Sequence, residues 1–258
     1  MLRLTFLMRR RPDLSIEEFQ SYWRDHHGPL MASFATDLDV LRYVQAHTIA
    51  DEDHSRLFGR RGQMEAPYDG VAEMWFENRE ALVASTQTKQ GRRAGAMLIE
   101  DEARFIDLPN SPMWLGHEFP QVNPTPENIV ARPRSTTVKL YFPLRTHAGR
   151  DERDAQQYWY SNHGPIIRRQ AAGAGIARYV QVHRVPDELE AGLRERRGVV
   201  VDGYMGHAEL WFDRSALAFG SPERAEANAR AIEDESKFID FKRSCMWLAK
   251  EHVFVDHM

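Results

Sequence analysis

The stretch Tyr22-Trp23-Arg24-Asp25-His26-His27-Gly28-Pro29 returns 136 residues later as Tyr158-Trp159-Tyr160-Ser161-Asn162-His163-Gly164-Pro165, and this return decides how the chain is read. Outward from it the spacing holds. Arg42-Tyr43-Val44-Gln45-Ala46-His47 becomes Arg178-Tyr179-Val180-Gln181-Val182-His183, Arg60-Arg61-Gly62 becomes Arg196-Arg197-Gly198, and Glu73-Met74-Trp75-Phe76 becomes Glu209-Leu210-Trp211-Phe212. After a short deletion the spacing is 133. There Glu100-Asp101-Glu102, Phe105-Ile106-Asp107 and Met113-Trp114-Leu115 match Glu233-Asp234-Glu235, Phe238-Ile239-Asp240 and Met246-Trp247-Leu248. Matches in one order over nearly the whole chain mark an internal duplication. Pro120, Pro124, Pro126 and Pro133 punctuate a stretch without apolar periodicity, as in a stiff extended linker. The expected organisation is a first domain over 1–119, a Pro-rich linker over 120–134 with the boundary near 126, and a second domain over 135–258.

Each copy reads in the same order of elements. Leu2, Leu4, Phe6 and Met8 alternate with Arg3, Thr5 and Leu7, a strand with one apolar face, and Val138, Leu140, Phe142 and Leu144 repeat it. Ser15 with Glu18 forms a capping box ahead of Ile16, Phe19 and Trp23 at helical spacing, and the second copy starts its helix near Asp151 with Asp154 in the reciprocal place. Gly28-Pro29 and Gly164-Pro165 predict a kink or break after each histidine. Strands over 40–47 and 71–76, a mainly helical 80–104 and a last strand over 112–119 complete a βαββαβ order. That is the α+β, ferredoxin-like arrangement with both helices on one face of an antiparallel sheet. The other face needs cover, and a second copy in the same chain supplies it. Two tandem ferredoxin-like domains are therefore expected to form an intramolecular pseudo-dimeric α/β barrel. Two tethered domains without a shared core are the alternative.

Phe19-Gln20-Ser21-Tyr22-Trp23 through His27-Gly28-Pro29, then Arg42 to His47, then Asp69-Gly70-Val71-Ala72-Glu73-Met74-Trp75-Phe76, resemble the pattern of the EthD family of dimeric α/β-barrel proteins. The second half resembles it through Tyr158-Trp159, His163-Gly164-Pro165 and Arg178 to His183, with Tyr204 to Glu209 replacing the first copy's Asp-Gly-Val-Ala-Glu. The resemblance implies small-molecule work, commonly without metal or organic cofactor: dehydration, decarboxylation or cyclisation of polyketide-like aromatics, or oxidation of activated phenols.

His27 and His163 stand beside the kinks, where an imidazole either caps a broken helix or moves a proton. Tyr22 and Asp25 are candidate catalytic partners of His27. Alternation puts Tyr43, Gln45 and His47 on one face of the second strand and Glu73 and Trp75 opposite the apolar face of the third. If the apolar faces meet the helices, these five line the side between the copies, and His47 and Glu73 pair there. Trp23, Tyr158, Trp159, Tyr179, Gln181, His183, Glu209 and Trp211 complete the expected substrate-binding set, which serves equally as a polar network registering the copies. Asp25 and His26 face Ser161 and Asn162 in the repeat, so the first pocket is expected to carry the chemistry. No HExxH or HxH spacing supports a metal site, and GxGxxG, GxxxxGK[ST] and GxSxG are absent.

With 34 Lys and Arg against 38 Asp and Glu, the net charge of −4 provides no global field for nucleic acid. The single Cys245 excludes an intramolecular disulfide and fits a reducing, cytoplasmic setting. No apolar run approaches the ~20 residues of a membrane helix. The expected partner is a small molecule, not nucleic acid or a membrane, with further self-association left open. The leading expectation is a cofactor-free lyase or isomerase using a histidine acid–base. A non-catalytic binding or stress-type barrel and a cofactor-free monooxygenase are the alternatives.

Overall fold

In the computed structural model, which describes residues 1–50, 52–123, 129–215 and 221–258, the alternating segments form strands. They are β1 Leu2–Met8, β2 Arg42–Thr48, β3 Gly70–Phe76, β4 Met113–Val122, β5 Thr137–Leu144, β6 Ile176–Arg184, β7 Gly206–Asp213 and β8 Trp247–Asp256. They close into one antiparallel barrel in the order β1-β3-β2-β8-β5-β7-β6-β4. The first four strands meet the last four at two hydrogen-bonded seams, β2 with β8 and β4 with β6. Closure removes the free edges an open sheet would expose. The boundary expected near 126, with Pro124 and Pro126, lies outside the described residues. The linker does not begin at Pro120: β4 runs on to Val122, with Pro120 opposite Val180 at a register shift where a ladder tolerates a missing N–H.

Helices α1 Ile16–Tyr22, α2 Gly28–Ser33, α3 Arg79–Gln87 and α4 Lys89–Glu102 belong to the first copy. Helices α5 Glu152–Tyr158, α6 Gly164–Ala174, α7 Glu188–Glu195 and α8 Pro222–Glu235 belong to the second. Both bonds of the Ser15–Glu18 capping box are made, and Asp151 caps α5 by accepting from the Arg153 and Asp154 amides. The stretch 80–104 is mainly helical as expected, in two helices, because Thr88 leaves helical geometry and caps α4.

The expected break after His27 is instead a π-turn over Trp23–His27, in which the Gly28 amide reaches the Trp23 carbonyl, and Trp159–His163 repeats it. Gly28 keeps right-handed helical φ, so it is no left-handed cap. Glycine is needed for closeness: a Cβ there would lie 2.4 Å from the Phe254 ring and 2.9 Å from Gln45 Nε2.

Two compartments result. Leu4, Phe6, Ala72 and Phe76 face outward under the first copy's helices with Phe19, Trp23 and Leu98, and the second copy builds the same cluster from Leu140, Phe142, Ala208, Phe212 and Trp159. The alternate residues fill the barrel interior: Leu7, Val71, Trp114, Tyr141, Tyr204 and Trp247 pack there, beside a buried set of charges. No described helix is long and apolar enough to cross a membrane.

Candidate functional site

The barrel interior shows where alternation misplaced residues. Directly paired residues share a face, and Gln45 pairs with Ala72 and Tyr43 with Met74, whereas Glu73 pairs with Val44. Tyr43, Gln45 and His47 therefore face the helices and not the space between the copies, and the expected His47–Glu73 pair is not formed. The reason lies in the π-turn, whose irregular backbone asks for polar partners on the sheet. Gln45 Nε2 donates to the Trp23 carbonyl at 2.8 Å, Trp23 Nε1 donates to the Tyr43 hydroxyl at 3.1 Å, and the Trp23 ring stacks on His47 at 4.5 Å. Gln181, Tyr179, Trp159 and His183 repeat these contacts. Burial pushes His47 well down and His183 down to about 4, so both rings stay neutral in this stack.

Glu73, Trp75, Glu209 and Trp211 do point into the barrel, where they meet Arg3 and Lys139, two cations at the same place in the repeat. Arg3 bonds Glu73, Glu209 and Glu118. Lys139 Nζ lies 2.8 Å from Glu73, 3.1 Å from Glu209 and 3.2 Å from Glu251. Burial opposes both cations, but the surrounding carboxylates outweigh it and keep them charged. Burial, with Glu209 nearby, raises the Glu73 carboxyl, while Arg3 and Lys139 overcome burial at Glu209 and hold it low. Trp75 Nε1 donates to Glu118 and Trp211 Nε1 to Glu251, so the rings brace the network. Ligand atoms of Glu73, His207 and Glu209 lie within 4.8 Å of one another. The guanidinium and ammonium already hold those carboxylate oxygens, and a third cation would meet both charges.

The second constellation lies between sheet and helices. The Asp101 carboxylate on α4 accepts from His27 Nδ1 at 2.8 Å and from the Tyr22 hydroxyl at 2.7 Å. Asp234 on α8 accepts from His163 Nδ1 at 2.9 Å and from Tyr158 at 2.7 Å. Burial would raise each carboxyl, but these bonds outweigh it: Asp101 is held low, and Asp234, with a further bond from Lys237, is pulled down to about 2. Neither histidine ring caps the helix. Asp25 is not the partner of His27, since it pairs with Arg24 at the surface. Asp101 was legible as part of a repeated triplet but not as a partner, because 74 residues separate it from His27.

Each copy has a cavity here. The first, about 100 Å³, touches His27, Trp23, Tyr43, Leu38, Leu98 and Glu102. The second, about 480 Å³, is walled by residues such as Leu140, Phe142, Phe212, Ala174, Ala231 and Glu235; His163, Trp159 and Tyr179 are not in its wall. His163 Nε2 stands 3.9 Å from Glu235, behind it. Each cavity is capped from the other copy. Arg197 pairs with Glu102 at 2.6 Å over the first, and Arg61 pairs with Glu235 at 2.6 Å over the second.

The EthD domain model matches residues 11–109 and again 147–242. No curated protein matches the sequence. Among solved structures, an anthrone oxidase-like protein aligns over 100% of this chain and 94% of its own at 10% identity, with a TM-score of 0.54. A protein titled "Putative monooxygenase" from Fusobacterium nucleatum subsp. nucleatum aligns over 98% and 93% at 7% identity, with a TM-score of 0.52. At such identities the likeness speaks for the fold. Two matches to one family model, falling on the two halves that the repeat defines, make the chain a member of the EthD family with two tandem copies of the domain.

Proposed function

We propose that the two copies are ferredoxin-like units joined as an intramolecular pseudo-dimer, and that the first is a cofactor-free acid–base enzyme acting on a hydrophobic, aromatic or polyketide-like molecule. The strand orders β4-β1-β3-β2 and β8-β5-β7-β6 support the first part. The observation carrying the second is that His27, its Nδ1 committed to Asp101, forms part of an apolar cavity wall together with Tyr43. Asp101 fixes the tautomer and leaves Nε2 as the proton-transfer atom. Tyr22 and Asp101 are positioning residues. The Tyr43 hydroxyl already accepts from Trp23 and Gln45, so its own hydrogen is available to a substrate oxygen, and burial keeps the phenol protonated.

In a dehydration, His27 takes the proton α to a substrate carbonyl while Tyr43 donates a hydrogen bond to the oxygen that gains the electron pair. The enolate pair then forms the carbon–carbon double bond as the β-hydroxyl leaves. That hydroxyl departs as water with the proton returned by His27. The cavity of about 100 Å³ is smaller than the ~150 Å³ that admits benzene. A substrate ring therefore displaces the cap of Leu193, Arg196 and Arg197. Aromatic β-hydroxyketones incubated with the protein under nitrogen should lose water, and His27→Ala, assayed well below its own melting temperature, should slow this by about 10²- to 10⁴-fold. Full activity in that variant would refute the role.

Two other readings have specific support. A filled barrel interior and a larger second cavity without a histidine in its wall favour a binding barrel. The names of the two solved structures suggest oxidation, for which the same proton abstraction would prepare a carbanion for oxygen. Oxygen consumption by the pure protein with an activated phenol separates that reading from dehydration.

A further inference from the structure

The larger cavity has a composition that the histidine chemistry does not use. Its depth is apolar, from Leu140, Phe142, Ile167, Leu210, Phe212 and Met246. Its charged wall holds Arg56, Arg61, Arg214 and Arg224 against Glu52, Asp53 and Glu235. Each carboxylate is taken: Glu235 by Arg61, Asp53 by Arg56 and Glu52 by Arg214. Arg224 is left without a carboxylate among the described residues, lying over the Phe212 ring with Nη1 buried and unpartnered. Unpartnered buried polar atoms of this kind are rare in folded proteins and are satisfied when a complementary group arrives.

The repeat explains why this exists in the second copy. Leu38 and Leu98 of the first cavity are replaced by Ala174 and Ala231, each removing three carbons from the wall, and Gly91 is replaced by Arg224. The first copy has the smaller cavity and a glycine at this position, with Arg92 beside it; the second has the larger cavity and Arg224.

We propose that the second cavity is a binding site for an amphipathic organic anion, its apolar body against Phe142 and Phe212 and its anionic head on Arg224. The volume of about 480 Å³ lies within the ~300–1,000 Å³ range of small-molecule sites. A charge-assisted bond to a partly desolvated guanidinium is what distinguishes an acid from its neutral analogue. The site does not depend on proton transfer at His27, and the test reads binding, not turnover.

The test is calorimetric titration of the full chain with decanoate and, separately, decan-1-ol. Wild-type protein should bind one decanoate at least tenfold more tightly than the alcohol. Arg224→Gln should lower decanoate affinity by about 10- to 100-fold and leave the alcohol unchanged, as loss of a charge-assisted bond would. Ala231→Leu should weaken both ligands by filling the cavity, and His27→Asn should weaken neither. Equal affinity for acid and alcohol, no binding of either, or decanoate affinity retained in Arg224→Gln or Ala231→Leu would overturn the proposal. Loss of decanoate binding in His27→Asn would also overturn it, by moving the ligand to the first copy.

Discussion

The two copies share the side-chain hydrogen bonds that hold the π-turn and differ at several wall positions of the cavity beside it. Trp23, Tyr43, Gln45 and His47 make the same bonds as Trp159, Tyr179, Gln181 and His183, and Tyr22–Asp101–His27 superimposes in role on Tyr158–Asp234–His163. Yet one cavity is about 100 Å³ with a histidine in its wall, and the other about 480 Å³ with an unpaired arginine. The lesson is that a π-turn, whose carbonyl needs a partner on the sheet, tolerates few alternatives and so persists after duplication. A cavity wall of methyl and methylene groups changes at modest cost and is where duplicates diverge.

The strongest way to break the comparison is to cut it. Chains 1–126 and 127–258 expressed separately should each expose the seam edges of β2 and β4 or β6 and β8, and leave Arg3 or Lys139 without the carboxylates of the other copy. They should aggregate or pair, and two well-behaved monomers in sedimentation would show that the halves do not share a barrel. Next in size is the exchange of wall residues. Leu98→Ala should cost about 2–5 kcal/mol in denaturant unfolding, whereas Ala231→Leu, which grows into open space, should cost under about 1.5 kcal/mol. Similar losses from both would mean that the cavities are not unequal.

Acid titration sharpens the comparison further. His183 titrates at about 4 when folded against an ordinary 6.5, so its neutral form contributes stability that is full above pH 6.5 and lost as pH falls toward 4. His183→Gln should flatten that slope by about 3 kcal/mol, measured as unfolding free energy against pH. Asp234, held near 2 against an ordinary 3.8, contributes stability above pH 3.8 that disappears as pH falls toward 2. Asp234→Asn should remove an acid-side loss of about 2 kcal/mol. Asp101→Asn should remove less, because the cation in the place of Lys237 is Arg104, which helps lower Asp101 through space but bonds Glu100 and not the Asp101 carboxylate. An equal effect would show the two triads to be equivalent.

The two copies and the α+β order of strands and helices were legible because duplication is written in the order of residues. The faces of β2 were not. Polar-out alternation assumes helices offer only apolar surface, and a π-turn offers a bare carbonyl that Gln45 must meet. Arg3 and Lys139 were passed over for the complementary reason: a charge alternating with apolar residues reads as solvent-facing unless the sheet is known to close. Asp101 and Asp234 stood in plain view within repeated triplets, but only the fold brings α4 and α8 against the π-turns. The unequal cavities could have been found by comparing side-chain volumes at matched positions, where Leu38 and Leu98 stand against Ala174 and Ala231.

The claim that a duplicated pair has become one binding cavity and one histidine-walled cavity is tested most directly by native mass spectrometry of the protein titrated with decanoate. A single adduct per chain, retained in His27→Asn and lost in Ala231→Leu, is the predicted result. Two adducts per chain of equal strength, or one that survives Ala231→Leu, would contradict it.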